Sequence, residues 1–350
     1  MNPAFTEKLL TWNSTLNERK MPWKGEKDPY KIWLSEIILQ QTRVDQGLAY
    51  YERFIESFPT IIDLANAPDE KVFKLWEGLG YYSRCKNLIE TARTIVFDLN
   101  SIFPNTYESI LQLKGIGPYT ASAIASFAFN LPYAVVDGNV NRVLARYFGI
   151  TTPIDSTPGK KLFSDLATAL IDRELPAEYN QAIMDFGATI CKPQIPLCEH
   201  CVQQPDCVAF ELGRVNDLPI KEKTITKKER WFNYFVVVVD DKLYIRKRTG
   251  KDIWQNLHEF ILEETTAFVP TYSELAFFKS IGAAHPYHIL SVSKPFRQIL
   301  SHQHINGQFI TIKLDSPIKN MVDYQLIDRT QLTDLAFPGI INKFLESSRL

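Results

Sequence analysis

Two carboxyl groups and four thiols are the side chains of this 350-residue chain whose surroundings suggest chemistry. Glu36 lies four residues after Ile32 and three before Leu39, on a helix opened by Asp28-Pro29, so it shares their apolar face. A Glu there is either desolvated, with a raised pKa suited to proton donation, or exposed at the edge of the stripe and inert. Asp137 stands just before a helix opening near Val140, with Asn139 as a candidate cap. The positive helix end favours its ionised form, although an ordinary helix cap would look the same. A neutral acid and an anion together suit a reaction that protonates a leaving group and stabilises a cation. Cys191, Cys198, Cys201 and Cys207 read C-x6-C-x2-C-x5-C. Four thiolates fit zinc or a cubane iron–sulfur cluster, and zinc ribbons usually show two C-x2-C pairs where this segment has one. Cys85 is left over and reads as a small buried apolar residue.

Helices joined by short turns must position these groups. The patterning predicts them from Pro29 to about Arg43, and over 45–57, 68–77, 83–99, 119–129, 140–148, 159–170 and 179–190. The cysteine segment follows, then a polar, Lys-rich linker over 218–230. Beyond it the texture turns aromatic and β-branched, with strands expected over 231–239, 242–246, 308–314 and 324–327 and helices over 272–278 and 339–345. The reading is a mainly α domain over 1–217, including a cysteine loop at 191–207, and an α+β domain over 231–350. A net charge of −1 argues mildly against a nucleic-acid partner, although backbone amides and a few cations can grip a duplex. No apolar run is long enough for a membrane span, and the N-terminus lacks a signal-peptide pattern. The expectation is a monomeric cytoplasmic protein, and in that setting crowded cysteines favour metal over disulfides.

Leu113-Lys114-Gly115-Ile116-Gly117-Pro118-Tyr119 permits a tight turn between helices whose outward N–H groups suit a phosphate, or is simply a Gly-containing connection. Together with Val136-Asp137-Gly138-Asn139-Val140-Asn141-Arg142 it resembles the helix-hairpin-helix base-excision DNA glycosylases, in which the Asp is the essential carboxylate. Trp33-Leu34-Ser35-Glu36-Ile37-Ile38-Leu39-Gln40-Gln41-Thr42 is similar to the helix of the adenine glycosylases of the MutY type. The resemblance implies that Glu36 protonates adenine at N7 and that Asp137 stabilises the sugar cation or adds to it transiently. Related endonuclease III enzymes carry a Lys that attacks the sugar where this chain has Tyr119, which forms no Schiff base. The expectation is a monofunctional enzyme that leaves an intact abasic site, with Tyr119 and Asn139 hydrogen-bonding around Asp137. The cysteine spacing resembles the [4Fe–4S] loop of the same families.

The resemblance also implies a base-flipping reader of duplex DNA holding adenine opposite 8-oxoguanine or guanine, associated with the nucleoid when acting. Gly115 and Gly117 would face a phosphate. Gln41, Thr42 and Tyr81 would probe the duplex near the lesion, and Trp23, Lys24 and Gln181 would line the adenine pocket. Many relatives carry Arg where Lys24 stands, and some carry Glu where Gln181 stands. The C-terminal domain resembles the Nudix-like domain appended to MutY, without the Glu-rich helix that holds magnesium in a hydrolase. Leu300-Ser301-His302 stands where relatives carry Phe-Ser-His in a loop that reads 8-oxoguanine, with Ser301 bonding the oxidised edge. The alternative is a thymine or uracil mismatch glycosylase on the same scaffold.

Overall fold

A computed structural model describes residues 3–222, 226–281, 285–318 and 321–348. The first two-thirds of the chain is helical: α1 (Pro3–Thr15), α2 (Pro29–Leu39), α3 (Val44–Ser57), α4 (Ile61–Asn66), α5 (Asp69–Trp76), α6 (Tyr82–Arg93), α7 (Tyr107–Leu111), α8 (Pro118–Phe129), α9 (Gly138–Tyr147), α10 (Thr157–Leu170), α11 (Pro176–Thr189) and α12 (Val208–Glu211). Strands follow: β1 (Lys228–Val239), β2 (Lys242–Lys247), β3 (His258–Glu259), β4 (Ile261–Thr265), then α13 (Ala276–Ile281), β5 (Tyr287–Val292), β6 (Phe296–Ile299), β7 (Gln303–Leu314), β8 (Gln325–Asp328) and α14 (Gly339–Ser347). Contacts divide the chain into two compact units. One comprises 1–65 and 90–224, the other 66–89 and 225–350.

In the first unit, local chemistry sets the helix starts. Asp28 accepts from the Tyr30 N–H with Pro29 as the first helical residue, which opens α2. The helix ends at Leu39, four residues short of the Arg43 expected, because Gln41 adopts a left-handed φ of 57°. The cap of α9 is Asp137 rather than Asn139: its Oδ1 accepts from the Val140 N–H at 2.8 Å. Phe5, Trp12, Val143, Leu144, Phe163 and Phe186 share one core, drawing in α1, which patterning missed. Leu218 is buried there too, so the expected linker begins inside the packed unit.

In the second unit, β1 and β7 run parallel over twelve residue pairs at the centre of a sheet that has eight strands among the described residues and is ordered β3-β2-β1-β7-β5. β4 pairs with β1, β6 with β7 and β8 with β2. Phe235, Val237, Ile310, Ile312 and Phe278 pack on one face. Residues 66–89 join this unit through specific bonds: Lys74 donates to the Leu335 carbonyl at 2.9 Å, Glu77 accepts from the Phe337 N–H at 2.7 Å, and Lys247 pairs with Glu70 at 3.0 Å. The chain after Phe260 forms strand β4, and no acidic helix follows it among the described residues.

Candidate active site

Within the first unit, Glu36, Tyr119, Asp137 and Asn139 line one cavity of about 420 Å³. That volume lies in the range of small-ligand pockets. α2 carries Glu36 inward, leaving it 8% exposed. Burial lifts its carboxyl to about 7, the negative charge of Asp137 adds to the rise, and a hydrogen bond with Tyr119 opposes it. The Tyr119 hydroxyl is pushed well above its ordinary range by burial and by the two carboxyl groups, so it remains a neutral phenol.

Asp137 accepts three ways at the start of α9. Oδ1 takes the Val140 N–H, and Oδ2 takes the Asn139 side-chain amide at 2.7 Å, while the Asn139 backbone also contributes. These bonds and Arg142 favour the anion, yet burial outweighs them and the net shift is upward. The expectation from the helix end alone is thus corrected: the dipole and cap are present, and desolvation is larger. What separates the two groups is the number of donors each accepts from, since a carboxylate with several donors is far easier to ionise than one with a single phenol.

Arg142, which motif reading left without a role, fixes this turn. Its guanidinium donates to Asn139 Oδ1 at 2.8 Å, Gly138 O at 3.2 Å, Gly187 O at 2.6 Å and Cys191 O at 2.7 Å. Gly187 lets α11 approach: an added Cβ would stand 2.7 Å from Asn139 Cβ.

The pocket wall contains Trp23, Lys24 and Gln181, together with Asp185, Arg19 and Met184. Trp23 packs edge-on to Tyr51. Asp185 escaped the sequence reading because a lone Asp in Ala182-Ile183-Met184-Asp185-Phe186 matches no motif. The only signal was an acid on an apolar helix, fully buried in the structure.

Gly115 takes a left-handed φ of 77°, and Gly117 caps α8, so the hairpin is a tight turn at a helix start. An added Cβ at Gly117 would meet no protein atom within 4 Å, so internal packing does not demand glycine there. Gln41 is exposed in its left-handed turn, and Thr42 lines the pocket.

In the second unit, Tyr81 also adopts a left-handed φ, 48°, and is 38% exposed. Its hydroxyl hydrogen-bonds the Ser301 hydroxyl, 220 residues away in sequence. Leu300, Ser301 and His302 form the turn between β6 and β7, closed by the Leu300 N–H donating to Gln303 O at 2.8 Å. This turn and the Gly78–Ser83 turn line one cavity of about 510 Å³. Non-glycine residues at positive φ are costly unless their surroundings hold them there, and such positions cluster at functional sites.

Cys191, Cys198, Cys201 and Cys207 line a separate small cavity with Arg146. Arg146 Nη1 stands 3.4 Å from Cys191 Sγ, and the guanidinium also donates to the carbonyls of Lys192 and Leu218. Burial, then the neighbouring sulfurs, push the Cys201 thiol up to about 12 and raise Cys198 and Cys207. Among the described residues no group of three or more His, Cys, Asp or Glu is arranged to hold a metal ion. Cys85 is buried, as its reading as a small apolar residue expects.

Residues 34–166 match the HhH-GPD superfamily of base excision DNA repair proteins, and residues 233–347 match the NUDIX domain. The chain is 37% identical over 260 residues to the adenine DNA glycosylase of Buchnera aphidicola subsp. Baizongia pistaciae, covering 73% of each. It is 44% identical over 229 residues to that of Rattus norvegicus, covering 62% of this chain and 44% of the rat protein. Among solved structures, a thermostable thymine-DNA glycosylase matches with a TM-score of 0.55 at 32% identity, over 59% of this chain and 95% of that one. Endonuclease III from a non-covalent complex with DNA matches with a TM-score of 0.52 at 19% identity, over 61% and 98%, a likeness of fold.

Proposed function

This chain belongs to the adenine DNA glycosylases, enzymes that hydrolyse N-glycosidic bonds, and from that premise we propose that it removes adenine paired with 8-oxoguanine or guanine in duplex DNA and leaves an uncut abasic site. The observation that carries this reading is that Glu36 and Asp137 share one cavity while differing in hydrogen-bonding environment. With a value of about 7, Glu36 is protonated in about half of molecules at neutral pH and can pass that proton to N7 of a flipped adenine. The C1′–N9 bond then breaks, its electron pair leaves with the base, and Asp137 stabilises the cationic sugar. Water adds to C1′ and loses a proton to Glu36, which restores the acid.

Tyr119 supplies no amine where a lyase would need one. The pocket lysines are engaged as donors, Lys24 to Asp185 and Arg19 O, Lys27 to Phe127 O. Strand cleavage through a Schiff base therefore has no nucleophile at the turn. The Gly115–Gly117 turn presents helix-start amides to a phosphate. Tyr81 and Ser301, side by side in the second unit, form the lesion reader, and Gln41 and Thr42 face the duplex near the flipped base.

The four cysteines suit a [4Fe–4S] cluster. The four line one cavity, and their C-x6-C-x2-C-x5-C spacing, with a single C-x2-C pair, supports the cubane over the paired knuckles of a zinc ribbon. Bound there, the cluster would cross-link the Cys191–Cys207 loop and offset the mutual repulsion of its thiolates. Arg146 and the Arg142 bond to Cys191 O hold the loop against α9.

The test is a duplex with adenine opposite 8-oxoguanine. It should break at adenine only after alkali, and Glu36→Gln should abolish release while retaining binding. A mismatch panel in which thymine or uracil opposite guanine is the released base would establish the alternative activity, consistent with the likeness to a thymine-DNA glycosylase.

A further inference from the structure

Asp185 is wholly buried on α11 and reaches the wall of the catalytic cavity. Its carboxylate accepts four bonds. Oδ1 takes Arg19 Nη1 at 2.8 Å and Gln181 Nε2 at 3.0 Å, and Oδ2 takes Asn17 Nδ2 at 2.9 Å and Lys24 Nζ at 3.1 Å. A carboxylate has about four lone-pair directions, so the group is saturated. Every partner is a donor, and that has a consequence for Gln181. A glutamine amide presents a donor and an acceptor on the same carbon, and which end faces a cavity is set by its neighbours. A carboxylate offers nothing to the carbonyl end, so Asp185 captures the nitrogen and leaves Oε1 for the cavity.

We propose that Asp185 is a positioning residue for base selection: by holding Gln181 through its nitrogen and Lys24 through its ammonium, it fixes an acceptor beside a donor on the pocket wall, the pattern that takes a purine bearing an exocyclic 6-amine. The inference rests on the adenine reading and deepens it. Around adenine the ring edge runs N7, amine at C6, N1, which is acceptor, donor, acceptor. Glu36 serves the first. The Gln181 carbonyl oxygen serves the amine. Lys24 has three N–H donors and spends two, on Asp185 and Arg19 O, so the third is available to N1. Guanine and hypoxanthine carry a carbonyl at C6 and an N–H at N1, which opposes two like groups at both places. This chain thus achieves with a neutral amide and a buried anion what a carboxylate at position 181 would do unaided.

The test uses the full-length protein and duplexes with adenine, unsubstituted purine or hypoxanthine opposite 8-oxoguanine, read as single-turnover release rates. Leaving-group differences cancel when the adenine-to-purine ratio of a variant is divided by that of the wild type. Asp185→Asn can face either end of Gln181, so the ratio should fall about tenfold, the effect of losing one oriented hydrogen bond. Gln181→Glu, acceptor at both ends, should restore the ratio in the Asp185→Asn background. Should Asp185→Asn fail to fold, Gln181→Leu in the wild-type background should lower the ratio by the same factor while Gln181→Glu keeps it. Equal loss of both rates in Asp185→Asn, or no change of ratio in Gln181→Leu, overturns the proposal while adenine release itself stands. A wild type that releases no adenine overturns both readings.

Discussion

The placement of Glu36 makes a quantitative claim about pH. An ordinary glutamic acid near 4.5 would be protonated in about 0.3% of molecules at pH 7, whereas one near 7 is protonated in about half. Burial therefore raises the population of competent acid about 150-fold at neutral pH. The direction follows from the proton being the reagent: release under single-turnover conditions should be flat below about pH 6 and fall tenfold per unit above about pH 8. Asp137 must be ionised, and its upward shift places the acid limb above the 3.8 of an ordinary aspartate. Tyr119 moves the alkaline limb: its hydrogen bond lowers the Glu36 value, so Tyr119→Phe should extend activity to higher pH even if the maximum rate drops. The assay is quenched-flow release from an adenine:8-oxoguanine duplex between pH 5 and 9, at enzyme concentrations saturating across the series. A rate that rises through pH 7 to 9, or a limb unmoved by Tyr119→Phe, would refute the assignment of Glu36 as the proton donor.

The same shift links to stability. The folded state holds the Glu36 proton more tightly than the unfolded chain between about pH 4.5 and 7, so stability contributed by this group falls as pH rises through that window and stays lost above it. Glu36→Gln, uncharged throughout, should unfold at higher denaturant than wild type at pH 8, by about 3 kcal/mol, with little difference at pH 4. Cys198→Ser should lose the broad visible absorption expected of the purified wild type, and a colourless wild type retaining zinc would end the cluster reading. Borohydride should trap no covalent protein–DNA adduct; a trapped adduct would contradict the role drawn from Tyr119. Ser301→Ala should weaken binding to adenine:8-oxoguanine severalfold more than to adenine:guanine, measured by titration of duplexes with uncleavable adenine analogues; equal weakening would remove Ser301 from lesion reading.

The two carboxyl groups that share the cavity could be picked out in the chain because helical phase and turn chemistry are local. Ile32, Glu36 and Leu39 fall on one face whatever the rest of the molecule does, and Asp137 precedes a glycine at a helix start. The ionisation of Asp137 was not visible, since it depends on how much water the whole fold removes. Asp185 was silent for the same reason: its partners Asn17, Arg19 and Lys24 lie more than 160 residues away. The assignment of residues 66–89 to the C-terminal unit rests on bonds spanning 177 to 261 residues, invisible to periodicity. β5 and β6 escaped because their faces alternate between half-buried and exposed, without the apolar run that marked β1.

Arg142 makes the molecule vulnerable in a particular way. A guanidinium is a rigid planar fork, and here four oxygens from three stretches of backbone and one side chain are spaced to its prongs. A lysine could satisfy one or two of them and would leave the others buried and thirsty. Damage at position 142 would therefore leave Glu36, Tyr119, Asp137 and the four cysteines in place and still loosen the turn that orients them. A chemist inspecting only the reacting atoms of such a variant would find nothing missing.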